Sequence, residues 1–230
     1  MSVFAKHPKY IDFINNEIKT LGFIRNQEYL ATYSDLVTKA DTLYNIYQGV
    51  KPRHIKTQDF QFECELELVV ESRRRRVFLG ANVKTNYSAV SYMLAVCESN
   101  NDNQNLIRKF HFDYAPPIKG QPPKPVYHIQ YGGVESNLLN ENEISANHLY
   151  PKISSPRLYG VPINLALVLD ITFCEFESDE TAKIVKNPQW KEFIKSNESF
   201  ILKPYYERMK EFVSNGHSST RLMRDFYYGE

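Results

Sequence analysis

The chain is poor in cysteine: three thiols, Cys64, Cys97 and Cys174, in 230 residues. An odd, widely spaced set argues against a disulfide framework and against a paired-cysteine zinc site, and it fits a reducing cytoplasm best. Charge of one sign is lacking too. Lys and Arg total 28 against 27 Asp and Glu, a net charge of +1, so no global field pulls the protein toward nucleic acid or a membrane surface. Any such partner must be held by a local patch. No apolar run approaches the roughly 20 residues that span a bilayer, and the opening MSVFAKHPKY contains no apolar stretch of secretory length. The expectation is a protein neither secreted nor membrane-embedded. There is no internal repeat or low-complexity tract, and no Gly-x-Ser-x-Gly nucleophile elbow. Gly132 and Gly133 make no phosphate loop, because no lysine-serine pair follows them.

What is present is ample core material. At 42% hydrophobic and 13% aromatic, the chain can bury a substantial interior without a metal or disulfide staple, as one domain over 1–230. Tyr10, Phe13, Ile14, Ile18 and Leu21 fall three and four apart, predicting a helix that ends at Gly22. A second such pattern runs from Tyr29 to Tyr47, so residues 1–50 form a helical hairpin. After Pro52 the period becomes two. FQFECELELVV alternates Phe60, Phe62, Cys64, Leu66 and Leu68 against Gln61, Glu63, Glu65 and Glu67, one dry face and one wet, acidic face. VFLGANVK, VSYMLAVCE, LIRKFHFDY and VYHIQYGG continue the pattern, with a hairpin closing at or near Ser72 to Arg76. The fold class is therefore α+β: an antiparallel meander of about five strands over 58–133, with the N-terminal hairpin and C-terminal helices over 161–215 packed on it. VPINLALVLDITFCEF is apolar nearly all round, as in a buried helix, with Pro162 early in it. Further amphipathic helices follow Pro188. The proline-rich 114–125 stretch is a stiff loop, and 134–155 a long polar excursion.

The period places Lys109, His111 and Asp113 on one face of the fourth strand, and His128 and Gln130 on one face of the fifth. In suitable register they form a single polar cluster. Neutral imidazoles beside a carboxylate suit one divalent metal ion, with His111, Asp113 and His128 as ligands, or acid-base work by the same residues. A hydrogen-bonded polar layer is the simpler reading, since any half-wet sheet displays interleaved polar residues. Arg73, Arg74, Arg75 and Arg76 form the most conspicuous charge run. They read as a solvated hairpin tip, with phosphate of nucleic acid or an acidic partner as the alternatives. Most of the 30 Tyr and Phe residues fall at core-facing positions, so they read as packing rather than base stacking. Asp170 amid leucines needs a partner. Arg157 is the nearest base in sequence, and a histidine of the cluster is the alternative, which would add Asp170 to the catalytic candidates.

HFDY, the proline loop, VYHIQYGG and SPRLYGVPINLALVLDITFCEF together resemble an uncharacterised family of bacterial proteins. Its signature is a His-x-Asp strand, a Pro-x-x-His strand, a Pro-Arg turn and an apolar helix. Pro125 and His128 occupy the second of these, and the resemblance covers residues 108–178. It implies a component of phage-defence or mobile-element loci that acts beside another gene product, with His111, Asp113, His128 and Arg157 as the motif residues and no assigned role for any of them.

Three functions compete on these grounds. The preferred one is a non-catalytic interaction or regulatory component of a bacterial multi-protein system, cofactor-free, cytoplasmic and partnered by a protein encoded nearby. The second is a metal-dependent phosphodiesterase or nuclease built on the His/Asp cluster, with Arg157 steadying negative charge. The third is a nucleic-acid-binding module using Arg73 to Arg76.

Overall fold

The computed structural model describes residues 9–50, 52–55, 57–100, 103–114, 127–131, 144–145 and 157–214. Helix α1 (Tyr10–Arg25) and helix α2 (Ser34–Gln48), joined through a 3-10 turn at Glu28–Leu30, form the expected hairpin. A short helix α3 (Pro52–Ile55) leads into the sheet. Strands β1 (Phe60–Val70), β2 (Arg73–Val83), β3 (Val90–Asn100), β4 (Asn103–Tyr114) and β5 (Tyr127–Tyr131) pair in sequence order, all antiparallel. This is an α+β meander. Two short strands extend it: β6 (Ile144–Ser145) lies parallel to β4, and β7 (Arg157–Tyr159) antiparallel to β5. Helices α4 (Leu165–Glu175), α5 (Asp179–Lys186) and α6 (Pro188–Ser214) follow. No helix among the described residues is long and apolar enough to cross a membrane.

Several boundaries differ from the sequence expectation for identifiable reasons. Helix α1 runs through Gly22 to Arg25. A Cβ at Gly22 would stand 2.7 Å from the Tyr44 ring, so this glycine lets α2 approach rather than ending α1. Pro162 precedes α4, whose N-cap is Asn164 accepting from the Leu167 amide at 3.1 Å. Helix α6 continues past Pro204 as one helix. The first hairpin turns at Glu71 and Ser72, with φ of 52° and 63°, the left-handed pair of a two-residue primed turn. Arg73 to Arg76 are consequently strand residues, not a tip. The loops at 115–126 and most of 134–155 lie outside the described residues.

The alternation of β1 works as expected on the helix side. Phe60, Phe62, Cys64, Leu66 and Leu68 join Val77, Leu79, Ala81, Val83, Tyr92 and Leu94 in the core beneath the helices. The opposite face is wet only toward β1. At β3 its residues Met93, Ala95 and Cys97 are enclosed as well, so the central strand is dry on both sides.

A buried polar knot holds the helices to the sheet. Glu17 of α1 is fully buried. It accepts the Tyr92 hydroxyl of β3 at 2.6 Å and the Leu165 amide that opens α4 at 3.3 Å. Beside it Asn164 donates to Asn16 of α1 and to Asn197 of α6, each at 2.8 Å. Burial pushes the Glu17 carboxyl up to about 7, although the bonds from Tyr92 and Leu165 pull the other way. Its folded value thus lies above its unfolded one, so the folded state binds the extra proton between about 4.5 and 7. Stability falls as pH rises through that window, by up to about 3 kcal/mol. Glu17→Gln keeps an acceptor oxygen and removes the titration. Urea melts at pH 5, 6, 7 and 8 are expected to show a smaller decline for the variant than for the native chain; parallel slopes contradict the assignment.

Candidate functional site

The register of β3, β4 and β5 assembles the cluster. His111 lies opposite Gln130, and Asp113 opposite His128. Across the other edge of β4, Met93 lies opposite His111 and Ser91 opposite Asp113. All of these share the face turned away from the helices. The Asp113 carboxylate sits in the middle: Ser91 Oγ donates to Oδ1 at 2.5 Å, and Oδ2 lies 3.4 Å from His128 Nε2. Lys109 occupies the next position on the same face and is buried. The row continues to Asn82, opposite Ser91, whose buried Oδ1 has no hydrogen-bond partner among the described residues.

Burial decides the electrostatics. His128 is 4% exposed and His111 8%. Desolvation pulls the His111 imidazole down to about 4. The Asp113 charge opposes that shift, while Lys109 and His128 add to it. His111 is therefore neutral at physiological pH. Burial alone would raise the Asp113 carboxyl, but hydrogen bonds from His128 and Ser91, with the neighbouring imidazole charges, outweigh it and hold the group below its ordinary value.

This arrangement limits the chemistry. In a nucleophilic triad the imidazole stands between hydroxyl and carboxylate, so that it can take the hydroxyl proton. Here the carboxylate stands between, and a depressed Asp113 is a poor base for Ser91. Among the described residues no group of three or more His, Cys, Asp or Glu side chains is placed to hold a metal ion. His111, Asp113 and His128 share a face without forming a three-ligand site.

The remaining expected residues lie elsewhere. Asp170 projects from α4 on the helix side of the sheet and accepts the Trp190 indole Nε1–H at 2.7 Å. It neither joins the His cluster nor needs Arg157 as its partner. Arg157 enters β7 opposite Gln130 in the backbone register. The four arginines split between faces by strand alternation. Arg73 and Arg75 meet Glu98 of β3, Arg76 makes a two-point contact with Glu65, and Arg74 bridges Glu67 at 3.9 Å and Glu180 of α5 at 3.4 Å. Every guanidinium of the run already has a carboxylate. Ser91 and Asn82 escaped the sequence reading; both lie at positions alternating in step with the cluster. Glu17 escaped it too, although its spacing from Phe13, Ile14 and Leu21 puts it on the apolar side of α1.

Comparison with protein-family models, curated proteins and solved structures returns no match. The site is therefore characterised by its own geometry. That geometry predicts an imidazole that stays neutral deep into acid. In a ¹³C–¹H NMR titration, the His111 ring signal is expected to shift with a midpoint near 4. Asp113→Asn, which removes the one attractive charge, moves that midpoint lower. A midpoint at the free-imidazole value of about 6.5 contradicts the buried, neutral assignment.

Proposed function

We propose that the chain is a non-catalytic interaction or regulatory component of a bacterial multi-protein system, acting in the cytoplasm beside a protein encoded nearby. The observation that carries this reading is the position of Asp113. Its carboxylate is engaged by Ser91 on one side and faces His128 on the other, within a largely buried layer. Such a layer orders the sheet. The phage-defence or mobile-element setting rests on the resemblance of residues 108–178. Three free cysteines suit a reducing compartment.

The two competing functions are less well supported. A hydrolase needs a metal-activated water or an accessible base, and the cluster offers a depressed carboxylate and enclosed imidazoles. A nucleic-acid module needs guanidinium groups that can exchange counterions for phosphate. Those of Arg73 to Arg76 are already held by glutamates.

Co-expression with each protein encoded beside this one, followed by size-exclusion chromatography, is expected to yield a stoichiometric complex. The complex should persist in His128→Ala, provided the variant melts cooperatively. Divalent metal in the purified chain that is lost in His128→Ala, together with phosphodiester cleavage, would replace this reading with the hydrolase. Salt-sensitive DNA or RNA binding abolished by Arg73→Ser, Arg74→Ser, Arg75→Ser and Arg76→Ser together would replace it with the nucleic-acid module.

A further inference from the structure

We draw no further inference here: the strongest candidate, the tyrosine ladder that runs in edge-on and tilted ring contacts from Tyr10 of α1 through Tyr87, Tyr114 and Tyr127 to Tyr205 and the exposed Tyr206 of α6, carries nothing, because nothing in the structure shows what covers it.

Discussion

The buried carboxylate of Glu17 is the constraint on which the layers depend. It is the point where α1, the central strand β3 and the first turn of α4 share hydrogen bonds. A carboxyl group in an apolar interior persists only when its oxygens are satisfied, so the three elements are held in one relative arrangement. The Tyr92 hydroxyl supplies a directional bond, and the opening of α4 supplies an amide at the positive end of the helix dipole. Apolar packing alone is tolerant of small shifts of helix over sheet; this knot is not. The neighbouring Asn16, Asn164 and Asn197 bonds bring α6 into the same arrangement.

The knot also fixes which side of β3 meets the helices, and the candidate row depends on that choice. Near its start, β4 contains a bulge: Cys97 lies opposite Leu106 while Val96 lies opposite Arg108, leaving Ile107 as the extra residue. Without the bulge, Ser91 would lie opposite Phe112 and share its face, and Tyr92 would point toward the His cluster. One inserted residue reverses the sides of a strand. The bulge thus brings Ser91 to Asp113 and keeps the His cluster off the face on which Tyr92 meets Glu17. Alternation within β4 and β5 made the His111, Asp113, His128 and Gln130 grouping legible in the sequence, because a period of two needs no knowledge of neighbours. The Ser91 contact was not legible, since it depends on an irregularity that no pattern of apolar residues announces.

The same contrast separates the elements that were read well from those that were not. Helices α1 and α2 and the five-strand meander followed from periodicity. The helix boundaries at Gly22 and Pro162 were misplaced: α1 continues through Gly22, where Tyr44 of α2 needs the space a side chain would fill, and α4 opens only after its Asn164 cap. Asp170 was recognised as needing a partner, but the partner is an indole 20 residues downstream, a choice set by how α6 folds back on α4. The arginine run looked like a surface feature in sequence. Strand alternation divides it between faces, where Glu65, Glu67 and Glu98 await it on β1 and β3. The acidic face of β1 takes Arg74 and Arg76, while Arg73 and Arg75 turn to Glu98 of β3.

The bond from the Glu65 amide to Asp35 has a wider consequence. Strand β1 is 11 residues long and ends the sheet, which in many proteins is an invitation for copies to zip together through their main chains. By planting a carboxylate of α2 against the middle of that border, the fold interrupts the template at the point where a docking strand would need continuous donors. The outward glutamates add repulsion between like copies. A helix that serves the core on one side thereby acts as a guard against polymerisation on the other.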